Sequence, residues 1–463
     1  MRFRQQRLSF ILVIMALIAG RECPADTHYV SLSGTNNSPF TNWPDASTNI
    51  IWAVNAAGVN DTVLVSNGVY YTTNHIYSTA AITLRSVNGR AVTILNGDNA
   101  TTNRCVNFTS ASAVFNGFTV TNYSTRGSDG VLYGYQFYNC LFVSNYCSTI
   151  PFNSGGRGTI LTGSGGVITN CIFKNNITTS IGGAIYATPC NGLTLLGCWF
   201  EGNSSGYGMC ALYSCRNTVI SNCVAINNSG NLYSGGFHMN GGVVCTNNLI
   251  VNCVASKNTS NAQGGGIDVY GEAVVKNCII TENRVLTANG IGGGIYVLGN
   301  NNTNSRIINC LIASNSAVKN GGGIWMTNCT VENCTIVSNQ AGTSGGGLYL
   351  DGVGSGTNNI IYFNTAANAA NFTNTAGNAG LNYSCVIPAV GGNGNITNDP
   401  FFKNFAGGDY RLQKSSPCIN KGINQSWMTG AVDLDGNVRI RYGIVDMGAY
   451  ETFLRQGNIY KVH

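Results

Sequence analysis

The chain has 463 residues, of which 9% are charged, 44% are hydrophobic and 60 are glycines, and its formal net charge is +6. So large an apolar fraction excludes a charged, disordered chain, and the abundance of glycine and asparagine indicates many tight turns between short strands. Residues 1–25 carry four basic and one acidic residue, so the rest of the chain has a net charge of +3, too small to indicate nucleic-acid binding.

The first residues predict a signal peptide over residues 1–25. Arg2, Arg4 and Arg7 form a basic start, and residues 8–19 form an apolar run. A membrane anchor is the alternative, but the run is too short to span a bilayer comfortably. We therefore expect an exported protein, secreted or at the surface of a bacterial envelope, with no transmembrane span in the mature chain.

Residues 26–75 are interpreted as an N-terminal cap followed by the first strands. Residues 46–57 have the pattern of a short amphipathic helix, and a strand is predicted at residues 62–65, before the turn Asn67-Gly68. The repeats of residues 76–365, described below, indicate a solenoid. The end of a solenoid exposes apolar side chains and strand edges. The helix is the expected cap.

Residues 76–365 contain a repeat built around a cysteine, and its spacing varies between 24 and 32 residues. Each cysteine has an apolar residue three positions before it, another two positions after it and asparagine five positions after it, and in most repeats glycines then open a further strand. The repeated cysteines are Cys140, Cys171, Cys198, Cys223, Cys253, Cys278, Cys310 and Cys334.

These runs are too short for helices and alternate with period two, which predicts two or three strands per coil. An all-β right-handed parallel β-helix solenoid with an N-terminal helical cap follows, because a single coil cannot bury its apolar side alone. An antiparallel sandwich is the alternative, but hairpins do not require identical coils. We expect the asparagines to stack as amide ladders.

The C-terminal part divides into two segments of different composition. Residues 366–398 are rich in asparagine, alanine and glycine and are interpreted as a loop or linker. Residues 399–463 hold clustered aspartates and aromatic residues and are interpreted as a separate C-terminal element.

Three parts of the chain resemble known families or folds. Residues 137–365, with Gly-Gly-Ala-Ile at 182–185 and the strings from Phe173 to Asn176 and from Phe200 to Asn203, resemble the repeats of chlamydial polymorphic membrane proteins. That resemblance implies a β-helical surface adhesin. The N-terminal half is also similar to the pectin-lyase-like superfold in general.

The C-terminal element resembles the choice-of-anchor Q domain of exported bacterial proteins. This resemblance implies an exported β-helix with no assigned chemistry. The matching strings are Asp399-Pro400-Phe401-Phe402, Gly408-Asp409-Tyr410-Arg411-Leu412, Ser416-Pro417-Cys418-Ile419, Asp433-Leu434-Asp435-Gly436 and Val445-Asp446-Met447-Gly448-Ala449-Tyr450-Glu451.

The chain has 18 cysteines, which in an exported protein would normally indicate disulfides. The position of eight of them in the repeat favours packing instead. The eight repeated cysteines are expected to point inward as small apolar thiols, although stacked neighbours have a separation compatible with disulfides. Cys190, Cys215 and Cys245 predict a second short column, and Cys385 and Cys418 are a candidate pair. No Cys–His set has zinc spacing, so no metal or cofactor is predicted; Asp433 and Asp435 could hold a structural calcium, but an Asx-rich turn is favoured.

Outward residues of the strand after the glycines give the candidate site. Five of the seven are aromatic, and such a file suits the stacking of sugar rings, although aromatic residues also favour strands and one another. The predicted outward residues are Tyr186, Tyr213, His238, Asp268, Tyr296, Trp325 and Tyr349. The candidate substrate-binding residues are Tyr186, Tyr296, Trp325 and Tyr349.

His238, Asp268 and Tyr213 are the candidate catalytic residues. A histidine beside a carboxylate is a tuned proton acceptor, and a tyrosine could protonate a leaving sugar oxygen. The alternative is two tolerated polar residues on an exposed face. Three functions stay open: a glycan-binding protein or adhesin acting on a polysaccharide or cell-surface glycan, a lyase or glycoside hydrolase acting on uronic-acid-type polymers, and a purely structural surface protein.

Overall fold

The computed structural model describes residues 25–453 except 73, 100–103, 127–129, 149–156, 300–303, 378–379 and 441–442. The predicted signal peptide lies outside these residues, apart from Ala25. Within the described part of the chain, no helix combines the length and the apolar character that crossing a bilayer requires.

Four parallel sheets run along the molecule, and each strand pairs with its equivalent one coil away. The predicted all-β parallel β-helix solenoid is therefore confirmed. The pairing is parallel throughout these four sheets, so the antiparallel sandwich is excluded.

Within each sheet the strands follow one another in chain order. The first sheet contains Thr27–Val30, Thr62–Val65, Thr83–Ser86, Val114–Asn116, Gln136–Tyr138, Val167–Thr169, Thr194–Leu196, Val219–Ser221, Asn248–Val251, Ala273–Lys276, Ser305–Ile308, Cys329–Glu332, Gly354–Thr357 and Leu381–Asn382. The second sheet contains Gly68–Tyr71, Thr93–Asn96, Thr119–Thr121, Leu141–Val143, Ile172–Lys174, Trp199–Glu201, Val224–Ile226, Val254–Ser256, Ile279–Thr281, Leu311–Ala313, Thr335–Val337, Ile360–Tyr362 and Cys385–Val386. A narrow corner sheet contains Ser124–Arg126, Tyr146–Ser148, Ile177–Thr178, Ser204–Ser205, Ser229–Gly230, Thr259–Ser260, Arg284–Val285, Ser316–Ala317 and Gln340–Ala341. The third sheet contains Ile76–Ser78, Val106–Phe108, Leu132–Tyr133, Ile160–Thr162, Ile185–Ala187, Cys210–Tyr213, Phe237–Asn240, Ile267–Tyr270, Ile295–Leu298, Ile324–Thr327, Leu348–Leu350 and Phe372–Asn374.

The coils pass through the first, second and third sheets in that order, and the coils from Ser124–Arg126 to Gln340–Ala341 also have a corner strand between the second and third sheets. The bend between the first and second sheets is made by the residue before each repeated cysteine. This residue is asparagine in seven coils, as at Asn170, where φ is 53°, and Gly197 before Cys198, where φ is 60°. Asparagine tolerates this left-handed conformation better than most residues, which explains the repeated Asn-Cys pair.

The repeated cysteines form one buried column of free thiols, as predicted. Each thiol donates to a nearby carbonyl; Cys171, for example, donates to the carbonyl of Thr169 at 3.4 Å. The second predicted column is also present: Cys190 and Cys215 form a disulfide, and the backbone N–H of Cys215 donates to Sγ of Cys245 at 3.3 Å.

A buried amide ladder joins the coils between the second and corner sheets, as predicted. Nδ2 of Asn228 donates to Oδ1 of Asn258 at 3.0 Å and to the carbonyl of Phe200 at 3.0 Å, and the backbone N–H of Asn228 donates to the same Oδ1 at 3.0 Å. Every polar atom of such an amide is used. The ladder residues are Asn145, Asn176, Asn203, Asn228, Asn258, Asn283, Asn315, Asn339 and Asn364.

The N-terminal end is covered by the expected helix, Ile50–Ala56. The side chain of Asn49 accepts a hydrogen bond from the backbone N–H of Ile51 and caps the helix. Ile50, Ala53 and Val54 are buried against the first coils, so the helix covers the open apolar end.

The structure differs from the sequence interpretation at residues 366–398. Phe372–Asn374, Leu381–Asn382 and Cys385–Val386 are strands of the last two coils rather than parts of a loop, and Ile396 then pairs with Cys385. Strands of two or three residues show too little alternation to stand out among asparagine, alanine and glycine.

Residues 399–453 form an element that packs on the outer face of the second sheet. It contains the antiparallel strands Phe402–Asn404 and Asp409–Leu412, and a 3-10 turn at Ser426–Met428. Its apolar residues Phe402, Leu412 and Met447 share one cluster with Leu311 and Val337 of the solenoid. The element is therefore part of the same packed body.

Buried polar contacts also join this C-terminal element to the solenoid. Arg439 is fully buried, with its guanidinium 3.4 Å from Glu451 and donating to Asn309 at 3.3 Å. Asp433 accepts from the backbone N–H of Asp435 at 2.9 Å, the geometry of an Asx turn; a structural calcium there stays a prediction.

Cys385 and Cys418 were the candidate disulfide pair. In the structure both are buried free thiols, and the thiol of Cys385 donates to the carbonyl of Asn398 at 3.2 Å.

Candidate functional site

The outer face of the third sheet carries one continuous file of side chains. Strand register places its members about 4.8 Å apart, one per coil. The file residues are Tyr77, Asn107, Tyr133, Leu161, Tyr186, Ala211, His238, Asp268, Tyr296, Trp325, Tyr349 and Thr373.

Six of the seven predicted outward residues lie in this file, and Tyr213 does not. Ala211 pairs with Tyr186 and with His238, so Tyr213 lies two residues further along its strand. The error arises because a single glycine, Gly208, precedes that strand, where other coils have a glycine pair or triplet that marks the strand start. Tyr213 still contacts both neighbouring coils, with ring centroids 5.8 Å from Tyr186 and 5.7 Å from His238.

The expectation that the file is exposed is wrong at its centre. His238 and Asp268 are both 0% exposed. Tyr296 and Trp325 are 5% and 8% exposed, and their rings stack on each other at 4.6 Å. Two of the four candidate substrate-binding residues therefore mainly pack together, while Tyr186 and Tyr349 remain half-buried.

His238 and Asp268 form a hydrogen-bonded pair on adjacent coils. Nδ1 of His238 lies 3.2 Å from Oδ2 of Asp268. Burial removes water from the carboxylate and raises the pKa of Asp268, while His238 and the amide of Gln263 act in the opposite direction. Gln263 also donates to the hydroxyl of Tyr270.

Tyr233 covers this pair. Its ring lies parallel to the imidazole of His238, with centroids 5.0 Å apart and planes 4° apart. Tyr233 belongs to the loop between Ser229–Gly230 and Phe237–Asn240, and Tyr207 from the equivalent loop of the preceding coil lies 5.8 Å away. The ring of Tyr270 lies edge-on to both, with centroids 6.4 Å from His238 and 6.2 Å from Tyr233.

We call Tyr186, Tyr207, Tyr213, Tyr233 and Tyr270 the tyrosine cluster. Sequence reasoning missed Tyr207, Tyr233, Tyr270 and Gln263. Tyr207 and Tyr233 follow ladder asparagines by four and five residues, and that repeat is the signal that could have identified them.

Glycines allow the covering loops to lie so close to the pair. A Cβ at Gly208 would lie 3.0 Å from Cβ of His238, and one at Gly264 would lie 2.7 Å from Cβ of Asp268. Gly264 also has φ of +57°, which disfavours other residues.

Two atoms of the pair lack partners. Among the residues that the structure describes, Nε2 of His238 and Oδ1 of Asp268 are buried and make no hydrogen bond. Such orphaned atoms cost about 1–3 kcal/mol each, and they require an explanation in a native protein. If Nδ1 carries the proton donated to Asp268, Nε2 is free to accept one, as a general base does.

Among the described residues, no group of three or more histidine, cysteine or acidic side chains is arranged so that it could hold a metal ion.

No family model and no curated protein matches this chain. Solved structures that are similar include the pectate lyase Pel9A, 16% identical over 92% of this chain and 97% of that one, with a TM-score of 0.36. A GH87 α-1,3-glucanase catalytic domain in complex with tetrasaccharides is 15% identical over 77% of this chain and 69% of that one, with a TM-score of 0.40. The A-module of a mannuronan C-5 epimerase from Azotobacter vinelandii is 12% identical over 70% of this chain and 91% of that one, with a TM-score of 0.31. These likenesses are too distant to support an argument about the site.

Proposed function

We propose that this protein binds a glycan through the tyrosine cluster on the outer face of the third sheet, as an exported adhesin of a bacterial cell surface. The N-terminal pattern of residues 1–25 and the resemblances to polymorphic membrane proteins and to the choice-of-anchor Q domain support the surface location.

The observation that carries the proposal is the contact of five tyrosines on one outer face. Their centroids lie about one coil apart, as in the pairs Tyr186–Tyr213 and Tyr207–Tyr233, both at 5.8 Å. Tyr207 is 38% exposed, so part of its ring is open to solvent. Tyrosine offers an apolar ring face for a sugar and a hydroxyl for its polar groups.

Glycan retention by the full chain tests this proposal. We expect Tyr207→Ala and Tyr186→Ala to reduce retention on a glycan array about threefold to tenfold each, the range of one aromatic contact. Tyr146→Ala is the matched control, because Tyr146 is similarly exposed but lies on the corner sheet. Equal loss in the control, or no retention of any glycan by the wild-type chain, would reject the proposal.

The orphaned atoms favour a second candidate function, a polysaccharide lyase or glycoside hydrolase acting on uronic-acid-type polymers. In the lyase reaction, Nε2 of His238 would take the proton next to the sugar carboxylate, the bond to the leaving oxygen would break as a carbon–carbon double bond forms, and Tyr213 would protonate that oxygen. Burial raises the pKa of Tyr213. Its hydroxyl is therefore protonated at neutral pH, and negative charge developing on the leaving oxygen has to draw the proton from this weak acid. Tyr233 must move aside for a sugar to reach Nε2.

Turnover separates the two candidates. A lyase would release unsaturated products from polygalacturonate, detected by their ultraviolet absorbance, and His238→Ala and Asp268→Asn would each abolish the signal. His28→Ala is the control, since His28 also pairs with a buried aspartate, Asp61, but lies in the first strand of the solenoid, Thr27–Val30, on the first sheet. A hydrolase would instead raise the number of reducing ends without unsaturated products. Retention of the glycan with neither unsaturated products nor new reducing ends would leave binding as the function.

A further inference from the structure

Two arginine–tyrosine pairs lie upstream of the tyrosine cluster on the same face. The guanidinium of Arg104 lies 5.5 Å from the ring centroid of Tyr133, and that of Arg157 lies 5.6 Å from the ring centroid of Tyr186. In both pairs the arginine comes just before a third-sheet strand and reaches the tyrosine of the next coil. The arrangement therefore repeats.

The repeat has a defined spacing. Tyr133, Leu161 and Tyr186 are consecutive members of the file, so the two pairs are two coils, or about 10 Å, apart along the axis. Leu161, which lies between Tyr133 and Tyr186 in the file, is apolar and buried. This span is close to the length of a disaccharide unit in an extended chain.

Few charges occur in this stretch of the chain. Between Asp98 and Glu201 it contains four basic residues and one acidic residue, Asp129, which lies outside the described residues. Lys174 is paired with Glu201 at 3.3 Å on the second sheet, so it does not contribute to this face. Tyr186 belongs both to the tyrosine cluster and to the pair with Arg157. The arginine–tyrosine pairs and the tyrosine cluster therefore form one continuous surface.

We propose that Arg104 and Arg157 bind acidic groups, carboxylate or sulfate, on alternate sugars of a glycan whose rings lie over Tyr133 and Tyr186. The inference rests on the proposed glycan-binding function and adds the class of ligand and the residues that select it. Guanidinium groups suit this role because their planar donors match an oxyanion bidentately, while the same plane stacks on an aromatic ring.

Binding of polygalacturonate and of its methyl ester by the full chain tests the inference, because the ester keeps the sugar chain and removes the charge. We expect the wild-type chain to prefer the acid. Arg104→Gln and Arg157→Gln should each weaken binding of the acid about tenfold and leave the ester unchanged. Arg85→Gln is the matched control, since Arg85 is an exposed arginine on the first sheet.

The outcomes separate this inference from the function on which it rests. Equal binding of acid and ester, with loss in Tyr207→Ala, would overturn the arginine assignment and keep glycan binding. Binding of neither polymer, nor of dextran sulfate, would overturn the arginine assignment, and glycan binding itself would fall only if the array also retained nothing. Tighter binding of dextran sulfate would assign the sites to sulfate rather than carboxylate, and equal affinity for duplex DNA would overturn the assignment to sugars.

Discussion

Single asparagine side chains complete the backbone hydrogen bonding of the coils. Each ladder amide satisfies a backbone N–H in its neighbour and a carbonyl in the coil before, and all three of its polar contacts are buried. The ladder positions suit asparagine, because neutral amides can be buried and fully paired where carboxylates and ammonium groups cannot.

Loss of one ladder amide should therefore destabilise the fold. Asn258→Ala removes the partner of Asn228 and leaves buried backbone groups unpaired, so we expect the free energy of unfolding in urea to fall by about 3 kcal/mol. Asn261→Ala is the control: its amide also donates to the coil before, at 2.8 Å, but at the surface. A similar change in the two variants would contradict the role of the ladder.

Truncation of Tyr233 tests the cover over His238. We expect Tyr233→Ala to speed deuterium exchange at the ring C2 position of His238 several-fold, because the stacked ring that excludes water is gone. Mass spectrometry resolves each histidine, and buried His28 is the internal control. An unchanged rate at His238 would show that other groups shield the pair.

The repeat in the sequence predicts the strand register and therefore most members of the outward file. It does not predict which of these side chains other parts of the chain bury. His238 and Asp268 are spaced as the repeats indicate, and they are indeed register partners. Their burial depends on Tyr233, which comes from a loop of variable length, and no period in the sequence reports where such a loop folds. Tyr213 was misplaced for the related reason that its coil lacks the glycine pair.

Two kinds of element could not be predicted from the sequence: strands shorter than three residues, and segments that pack on the outer face of the solenoid. Corner strands such as Ile177–Thr178 are too short for any alternation. The C-terminal element was recognised by composition, but its place on the second sheet depends on apolar residues such as Val337 that face outward, where polar residues are expected.

Buried carboxylates should make this element sensitive to pH. Burial raises the pKa of Asp446 from 3.8 to about 6 and that of Glu451 from 4.5 to about 8, while Arg439 opposes both shifts. The folded state thus holds these protons more tightly than the unfolded chain, and the stability that they contribute is lost as the pH rises from about 4 to 8.

We expect residues 399–453 to exchange amide hydrogens faster at pH 8.5 than at pH 5.5, after correction for intrinsic exchange. Glu451→Gln should reduce this difference, because the amide cannot ionise. Glu282→Gln, at a surface carboxylate 3.8 Å from Lys257, should leave it unchanged. Equal protection at both pH values in the wild-type chain would contradict the assignment.

At the scale of the whole molecule, stability is the sum of coils and of the contacts between neighbours. An unprotected end can open one coil at a time, and the helix Ile50–Ala56 protects the N-terminal end by burying its apolar side. The end of the chain was harder to foresee than its start, because an amphipathic helix has a sequence period and the final coil has none.

A charge in the cap should open that end first. Val54→Asp places a carboxylate where the side chain is buried, and we expect a loss of about 3 kcal/mol. Hydrogen exchange should rise most at Thr62–Val65 and decline with each coil further along. Trp52→Asp, on the exposed side of the same helix, is the control; uniform exchange along the chain would contradict coil-by-coil opening.

The repeating asparagine and cysteine positions also bear on how such a chain can change its length. Because the register is renewed in every coil, extra residues in a turn between two strands project outward and leave the pairing on either side intact. Duplication or deletion of one complete coil would likewise reconnect equivalent partners. A gene of this kind can therefore lengthen or shorten its product in steps of one rung, and alter the loops beside the tyrosines, without having to evolve a new core.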